Sequence, residues 1–315
     1  MHETSFVNKI ILFYKYIPLQ DPSGIRQWLY KLCSDFGFKG RIIVAQEGIN
    51  GTLAGNVEHI ERFKAILAKH PLFQEIDWKE SVGEAKSFPR LRILVKREIT
   101  HLGLDPAVVR AQDGGKHLKP HETHTLLSNK PDDMVVFDAR NNFESAIGAF
   151  QDAIKPDIDY FRQLPAYIDQ NLEQFRDKQV IMYCTGGIRC ERASAYLKSK
   201  GVAKHVYQME GGIHRYAEQY PDGFFRGKNY VFDGRIAVKV NDDIVAACAL
   251  CSAACDQYTN CLNASCNDHF ICCQVCLSTY DNTCSVTCLE LLREGKVQQR
   301  PQRAVISPES TGKPQ

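Results

Sequence analysis

The chain has 315 residues, enough for two or three domains, and its hydrophobic content of 44% supports packed cores. Its net charge of +2 does not by itself indicate nucleic-acid binding, so any site for a polyanion must be a local patch. No run of residues is long and apolar enough to span a membrane, and residues 1–9 lack the pattern of a signal peptide, so a cytoplasmic protein is expected.

The first block, residues 1–98, has the alternation expected of a ferredoxin-like (acylphosphatase-like) domain. Its apolar runs and helical periodicity predict a β-α-β-β-α-β order with one further strand. The predicted elements are a strand at 9–16, a helix at 22–36, strands at 40–45 and 51–54, a helix at 57–70, and strands at 75–79 and 91–97. Residues 47–52 are predicted to form the turn between the central strands, where Asn-Gly is an ordinary hairpin signal.

A connecting segment, residues 99–129, holds three histidines and a glutamate in the sequence His-Leu-Lys-Pro-His-Glu-Thr-His at 117–124. Two histidines and one carboxylate form a ligand set for iron, but Pro120 interrupts any single helix through all of them. The interpretation that we favour is a linker that contacts substrate phosphates through Lys116, Lys119 and the first of these histidines. A metal site is the alternative.

The next block, residues 130–226, alternates strand and helix patterns and predicts an α/β unit around a parallel sheet. It opens with a buried strand at 134–140 that ends in Asp-Ala-Arg. In such sheets, functional groups collect beyond the carboxyl ends of the strands. Asp138 and Cys184 both fall at such ends and are candidate catalytic residues.

Cys184 starts the loop Cys-Thr-Gly-Gly-Ile-Arg, between an apolar strand at 180–183 and a helical segment at 191–197. Backbone N–H groups and the helix dipole lower the pKa of a thiol in this position, and Arg189 adds positive charge. The pattern predicts a reactive thiolate, with a buried structural cysteine as the alternative. Only four residues separate Cys184 from Arg189, so the loop suits one extra sulfur or oxygen atom better than a whole phosphate. It resembles the active loop of rhodanese-type sulfurtransferases.

Ten of the thirteen cysteines lie in the linker and cysteine module at 227–296. In a cytoplasmic protein this clustering indicates metal binding rather than disulfides. Two four-thiolate zinc sites are the favoured interpretation, and an iron–sulfur cluster or a cysteine-rich packing module is the alternative. The predicted ligands are Cys248, Cys251, Cys261, Cys266, Cys273, Cys276, Cys284 and Cys288, and Cys255 and Cys272 are left over.

The spacing of these cysteines leaves the pairing open. Sequential pairing joins 248/251 with 261/266, and interleaved pairing joins 248/251 with 273/276. Either arrangement has no open coordination position, so the predicted role is structural.

Two further segments border this module. Residues 225–235 mix aromatic and cationic side chains, which suits base stacking and phosphate contact but equally an ordered clamp between domains. The polar, proline-containing tail at 297–315 is predicted to be disordered.

The order of these blocks is similar to that of the tRNA wobble-uridine hydroxylase family. The resemblance covers about residues 8–290 and rests on Glu-Gly-Ile-Asn-Gly-Thr at 47–52, Cys-Thr-Gly-Gly-Ile-Arg-Cys-Glu at 184–191, Gly-Lys-Asn-Tyr-Val-Phe-Asp-Gly-Arg at 227–235 and the eight cysteines. It implies an oxidoreductase that hydroxylates C5 of the wobble uridine with molecular oxygen, with the anticodon loop of tRNA as partner. No glycine-rich fingerprint for a flavin or nicotinamide is present.

The resemblance also implies roles for individual side chains. Cys184 becomes the active-site cysteine, and Arg189 and the loop N–H groups are expected to stabilise developing negative charge. Asp138 or Glu191 is expected to orient Arg189 or Arg192. The candidate catalytic residues are Cys184, Arg189, Cys190 and Asp138, and the candidate substrate-binding residues are Thr185, Gly186, Gly187, Arg192, Asn50, Lys116 and Lys119.

The sulfur chemistry of the loop leaves other activities open. Cys190 is close enough in sequence to Cys184 to act as a resolving thiol. A rhodanese-type sulfurtransferase, which forms a persulfide on Cys184 from thiosulfate or another sulfane donor, is the main alternative. A non-catalytic zinc-dependent adaptor is a weaker one. The additional N-terminal domain and cysteine module favour a macromolecular substrate, because a small sulfur donor needs neither.

Overall fold

The computed structural model describes residues 8–83 and 87–301. The N-terminal domain is a five-stranded sheet in the order β4-β1-β3-β2-β5, in which only β2 and β5 are parallel. Its elements are β1 (Asn8–Tyr16), α1 (Pro22–Asp35), β2 (Lys39–Ala45), β3 (Gly48–Asn56), α2 (Val57–Lys69), β4 (Lys79–Val82) and β5 (Leu91–Val95). The predicted ferredoxin-like arrangement is confirmed, with β5 as an additional edge strand.

The central strand β1 has two buried faces with different partners. Ile11 and Phe13 pack into the core beneath the helices of the N-terminal domain. Leu12 and Tyr14 point the other way, towards residues 186–191 of the central domain. Because side chains alternate along a strand, β1 joins the N-terminal core to the central domain.

Two local predictions in the N-terminal domain are wrong. Residues 71–78 form turns and irregular structure instead of a strand at 75–79, because Glu75 has a positive φ of 57° that a strand does not accept. Asn50 and Gly51 lie inside β3, and the turn is at residues 46–47. Gly51 is required for packing, since an added Cβ would lie 2.4 Å from the Phe13 ring.

The central domain is built on a parallel sheet in the order β6-β10-β9-β7. The segment expected to be a connection, 99–129, supplies β6 and α3 of this domain. Its elements are β6 (Lys116–Leu118), α3 (Pro120–Ser128), β7 (Met134–Asp138), α4 (Asn142–Ser145), β8 (Gly148–Phe150), α5 (Leu164–Gln170), β9 (Gln179–Tyr183), α6 (Ile188–Ser199), β10 (His205–Met209) and α7 (Gly212–Gln219). The predicted α/β class is confirmed.

Helices cover both faces of the central sheet, which explains the continuous apolar sequence of β9. Val180 and Met182 pack against the side that carries α5 and α6, whereas Ile181 and Tyr183 pack against the side that carries α3 and α7. A parallel strand buried on both faces lacks the polar alternation of a half-exposed strand. The carboxyl end of β9 then opens directly into the Cys184 loop.

The C-terminal part begins with β11 (Phe225–Tyr230), which pairs with β8 and with β12 (Ala237–Lys239). The cysteine module that follows contains a small hairpin and two short helices: β13 (Tyr258–Asn260), β14 (His269–Ile271), α8 (Gln274–Thr279) and α9 (Val286–Arg293). The predicted start of disorder at 297 is wrong, because the Arg300 N–H donates to the carbonyl of Leu262 and the Ala264 N–H donates to that of Gln298. The rest of the predicted tail, 302–315, lies outside the described residues. Among the helices in the described ranges, none has the length and apolar character needed to cross a membrane.

Candidate active site and metal centres

Cys184 lies at the carboxyl end of β9, immediately before α6, and its side chain is fully buried. The Gly187 N–H donates to its Sγ at 3.2 Å. Burial raises the pKa of the Cys184 thiol, but the hydrogen bond from Cys190, the Arg189 charge and further loop N–H groups outweigh burial and lower this pKa to about 5. Burial and the adjacent thiolate raise the pKa of Cys190, which keeps Cys190 protonated as the donor. The loop therefore holds a thiolate at neutral pH.

The loop has its shape because two glycines allow close backbone approach. Gly187 has a φ of 97°, in the left-handed region that disfavours side chains. Gly212, at the start of α7, sits so close that an added Cβ would lie 2.3 Å from the Cys184 carbonyl oxygen. The next residue, Ile213, donates its N–H to that carbonyl at 3.0 Å. The beginning of α7 thus packs against the backbone of the loop and holds it in place.

Arg189 is held by Glu144 in a two-point ion pair. Its Nη1 and Nη2 donate to the two Glu144 carboxylate oxygens at 2.6 and 2.7 Å, and Nη2 also donates to the Thr185 hydroxyl at 3.2 Å. Glu144 is fully buried, which raises its pKa, but the charge and hydrogen bonds of Arg189, the Arg140 charge and the Asn141 N–H together outweigh burial and bring that pKa below its ordinary value. The expectation that Asp138 or Glu191 orients Arg189 is wrong, because Glu144 performs that role.

Asp138 supports the end of its own strand. Its carboxylate accepts hydrogen bonds from Arg140 at 2.9 and 2.6 Å and from the Tyr183 hydroxyl at 2.7 Å. Arg140 also donates to the carbonyl of Gly148 at 2.6 Å. All of these side chains are fully buried, so Asp138 stabilises the carboxyl ends of β7 and β9 from within the protein.

Arg192 fastens α6 to the segment that follows β5. It has no exposed surface and donates to Glu98 at 2.5 Å and to the carbonyls of Leu104 and Val109, both at 2.9 Å. A guanidinium with these partners cannot touch a substrate, so the prediction of Arg192 as a substrate-binding residue is wrong. The expectation that Asp138 or Glu191 orients it is also wrong, since its carboxylate partners are Glu98 and, at 3.6 Å, Glu47.

Glu191 joins the central domain to the N-terminal domain. Its carboxylate accepts from the Tyr14 hydroxyl at 3.0 Å and from Gln208 at 3.1 Å, and pairs with His117 Nε2 at 3.0 Å. The hydrogen bond to Glu191 is the main reason that the pKa of His117 is raised. These groups line a groove of about 410 Å³ between the two domains, and Lys15 also lines it.

The other predicted substrate contacts lie near this groove or behind it. Lys116 and Lys119 are exposed on β6 and just after it, on either side of His117. The backbone N–H of Lys119 donates to the Glu122 carboxylate at 2.8 Å, at the start of α3. Asn50 donates to the carbonyl of Ile99 at 2.9 Å, which ties β3 to the start of the connection.

Two of the three histidines of 117–124 have separate surroundings. His117 pairs with Glu191, whereas His124 Nδ1 bonds the Tyr216 hydroxyl at 2.9 Å and its ring stacks on Tyr220 at 4.0 Å. Within the described part of the chain, the groups of potential metal ligands consist only of cysteines. In residues 8–83 and 87–301, the histidines and the glutamate of 117–124 thus form no group of potential iron ligands.

The eight predicted cysteine ligands form two groups, and the pairing is interleaved. In each group the four Sγ atoms lie within 4.8 Å of one another. The groups are Cys248, Cys251, Cys273 and Cys276, and Cys261, Cys266, Cys284 and Cys288. These groups can each hold a metal ion.

Two sulfur separations test whether zinc suits these groups. A tetrahedral ion with zinc–sulfur bonds of about 2.3 Å needs sulfur atoms about 3.8 Å apart. Cys251 and Cys273 are 3.7 Å apart, and Cys266 and Cys284 are 3.6 Å apart, so the donor sets fit. Cys272 lies 4.0 Å from Cys248 and stays outside the group.

Three family models match the chain: the UPF0176 acylphosphatase like domain over residues 8–99, the Rhodanese-like domain over 119–219 and the Rhodanase C-terminal over 226–289. A tRNA uridine(34) hydroxylase of Onion yellows phytoplasma (strain OY-M) is 41% identical, over 89% of this chain and 91% of that protein. Another from Pectobacterium carotovorum subsp. carotovorum (strain PC1) is 38% identical, over 96% of this chain and 85% of that protein. The chain belongs to the tRNA uridine(34) hydroxylase family. This confirms the family to which the sequence motifs point.

Among solved structures, a rhodanese-like domain from Anabaena sp. aligns with a TM-score of 0.30 and 17% identity, over 35% of this chain and 78% of that chain.

Sequence reasoning gave no role to several side chains of this family member's site. Glu144 had one available signal, its place three residues after Asn141, which is the spacing of a capping box. Tyr14 also had an available signal, because it lies on the face of β1 opposite Phe13. Glu98 had no signal, because its partner Arg192 is 94 residues away.

Proposed function

We propose that this chain hydroxylates C5 of uridine 34 in tRNA, with molecular oxygen as co-substrate and Cys184 as the reactive group. The supporting observation is the Cys184 thiolate, whose pKa is lowered to about 5 inside a loop of N–H donors. The names of the relatives supply the substrate. A tRNA substrate is consistent with a cytoplasmic enzyme.

A thiolate offers a direct way to activate the uracil ring. Addition of the Cys184 sulfur to C6 forms a carbon–sulfur bond and moves the electron pair of the C5–C6 double bond onto C5 and O4. C5 then becomes nucleophilic towards an electrophilic oxygen atom. Loss of the C5 proton and expulsion of the thiolate restore the double bond. The remaining oxygen atom of dioxygen leaves as water, which requires two electrons from an external reductant.

The surrounding residues have supporting roles in this proposal. Arg189, fixed by Glu144, and the loop N–H groups stabilise negative charge on sulfur or substrate. Cys190 hydrogen-bonds Cys184 and is placed to resolve a sulfur that becomes oxidised. The target base must leave its stack to reach a cysteine without exposed surface, which is easiest in the single-stranded anticodon loop.

The two four-cysteine groups suit structural zinc. A zinc ion bound by four thiolates has no open position, so it supplies folding stability and no reaction step. The module in turn contacts the central domain, since the Tyr258 hydroxyl donates to the carbonyl of Phe143 at 2.6 Å, next to Glu144. Metal binding thus supports the residue that orients Arg189.

The decisive test is nucleoside mass spectrometry of tRNA from cells that lack this protein and carry either the wild type or Cys184→Ala. We expect 5-hydroxyuridine derivatives to return only with the wild type, while purified Cys184→Ala still binds tRNA. Restoration by Cys184→Ala, or nucleosides that do not change when no parallel pathway is active, would contradict the proposal.

A sulfurtransferase is the second candidate, and one observation favours it. The N–H groups that surround Sγ of Cys184 would equally hold the outer sulfur of a persulfide. The Cys184 thiolate would then attack the outer sulfur of thiosulfate, forming the persulfide as the S–S bond of thiosulfate breaks and sulfite leaves. Cyanide would remove the outer sulfur as thiocyanate and restore the thiolate. Mass spectrometry of the intact protein after thiosulfate treatment tests this activity, and a wild-type protein with no added sulfur would eliminate it.

A further inference from the structure

A large exposed aromatic ring stands beside the candidate active site. Phe232, in the loop between β11 and β12, is 59% exposed. The Arg189 guanidinium carbon lies 5.9 Å from the centre of its ring. Arg189 is otherwise bound to Glu144, and its charge helps to lower the pKa of Cys184, so the ring stands next to a residue that acts on the reactive thiolate. A single exposed ring is common on protein surfaces, so the interest of Phe232 lies in its position beside Arg189.

The loop that carries Phe232 is fastened to the N-terminal domain. Asp233 and Arg235 pair through hydrogen bonds of 2.9 and 2.6 Å. Arg235 also donates to the Ser81 hydroxyl at 2.9 Å and to the carbonyl of Val82 at 3.1 Å, both in β4. The ring is therefore presented by an ordered loop, and little conformational entropy would be lost when a partner covers it.

Other aromatic rings support Phe232 from the inside. Tyr230 meets it edge-on with ring centres 5.4 Å apart, and Phe143 meets it edge-on at 6.5 Å. Tyr258 in turn lies edge-on to Tyr230 at 5.8 Å. Edge-on neighbours fix the orientation of the Phe232 ring and still allow one more flat partner to lie on its exposed part.

We propose that Phe232 stacks on a nucleobase that flanks the wobble uridine when the anticodon loop is bound. This inference rests on the proposed function. A flat base has a π-face that stacks on aromatic rings whatever its identity. The base is a flanking one because Cys184 is fully buried whereas Phe232 is at the rim. The target base goes inward, and its neighbour remains on the exposed ring.

The chain offers a matched control for this ring. Tyr30 in α1 is 44% exposed, and the Arg26 guanidinium carbon lies 5.0 Å from its ring centre. It belongs to the helix layer on the face of the N-terminal sheet opposite the Cys184 loop. Phe232→Ala and Tyr30→Ala therefore remove similar arginine-capped rings, and only Phe232 adjoins the candidate active site.

The experiment uses full-length protein with a synthetic anticodon stem-loop RNA, either intact or without the base on one side or the other of the wobble uridine. We expect Phe232→Ala to weaken binding of the intact RNA on the order of tenfold to a hundredfold. Removal of the stacked base should weaken wild-type binding similarly and abolish the difference between wild type and Phe232→Ala. Phe232→Trp should restore the affinity for the intact RNA, and Tyr30→Ala should behave as wild type. In Phe232→Ala, KM should change more than kcat.

The outcomes separate this inference from the proposed function. If the wild type forms 5-hydroxyuridine and Phe232→Ala binds the intact RNA equally well, the stacking role is overturned and the hydroxylase remains. The stacking role is also overturned if Phe232→Ala loses equal affinity for every RNA. It is overturned as well if the melting temperature falls in Phe232→Ala and not in Phe232→Trp. In both cases the ring would be structural. If the wild type binds the RNA but forms no product, stacking stands without hydroxylation. A wild type that does not bind the RNA overturns both.

Discussion

Cysteine serves two different purposes in this chain, and its surroundings decide which. In the loop after β9, a single thiolate is surrounded by N–H donors and a cation, so its negative charge is compensated by the protein. In the C-terminal module, four Sγ atoms lie within 4.8 Å in each group, and only a bound cation can hold four thiolates that close. The first arrangement leaves the sulfur available for reaction, and the second consumes it in coordination.

The two arrangements also differ in what maintains them. The Cys184 loop depends on other domains, since Leu12 and Tyr14 from β1 cover Gly186 and Gly187. The cysteine groups are formed within the module itself, from residues 248–288. Interference with the metal should therefore affect the module first, and interference with β1 should affect the loop first.

Metal removal should have the largest effect of all, and this effect should begin in the cysteine module. Structural zinc contributes about 10–16 kcal/mol in zinc-finger peptides, so chelation under reducing conditions should unfold the module. Limited proteolysis with mass spectrometry should then show cleavage between 248 and 288 before any cleavage within β9 or α6. Cys184→Ala is the control and should retain both ions. A module that resists proteases without metal would support the cysteine-rich packing alternative.

The pairing of the ligands can be tested by metal content. Cys248→Ser with Cys273→Ser removes two ligands from one group in the interleaved arrangement, so about one zinc per chain should remain. Sequential pairing would damage both sites and leave about none. Cys248→Ser with Cys261→Ser is the matched double variant that damages both groups of the structure. Elemental analysis of the purified variants distinguishes the two pairings.

The sequence predicted those parts of the site that are local in the chain. A strand, a short glycine-containing loop and a helix suffice to place Cys184, and short spacings suffice to find the ligand pairs. The pairing between groups needed the fold, because Cys251 and Cys273 meet only after β13 and β14 form. Glu144 likewise reaches Arg189 across 45 residues, and no local pattern carries that contact.

The error at residues 75–79 has a different origin. Ile76 and Trp78 alternate with polar residues as in a half-buried strand, but the positive φ at Glu75 turns the chain there. The strand starts four residues later, at Lys79. Asp77, within this irregular stretch, then binds Arg215 of α7 at 2.6 Å. The local pattern is thus subordinate to a contact between domains, which a single sequence does not reveal.

The reactivity of Cys184 should depend on its neighbour Cys190 in a pH-dependent way. The thiolate is present above a pKa of about 5 and is lost as the pH falls through that value. Cys190→Ala removes a hydrogen bond to the thiolate, so the pKa of Cys184 should rise and the acid limb of activity should move to higher pH. Thiolate absorbance, taken as the difference from Cys184→Ser, measures the shift.

A second buried cysteine provides the control for that experiment. Cys33 lies in the N-terminal core, where burial raises its pKa to about 12. Cys33→Ala should leave the acid limb unchanged, because Cys33 belongs to a different core. An equal shift in Cys33→Ala and Cys190→Ala would mean that general loosening, and not the lost hydrogen bond, causes the effect.

The smallest expected effect comes from the hydroxyls with which β1 covers the loop. Tyr14 donates to the Glu191 carboxylate, whereas Tyr16 contacts the Thr100 hydroxyl and the carbonyl of Ile188. Hydrogen bonds to charged groups contribute roughly 1.5–3 kcal/mol and neutral ones roughly 0.5–1.5 kcal/mol, so Tyr14→Phe should lower the free energy of unfolding more than Tyr16→Phe. Neither should change metal content. Because Tyr14 bonds a residue at the start of α6, Tyr14→Phe should also increase alkylation of Cys184, and equal alkylation in both variants would show that β1 does not control access to the thiolate.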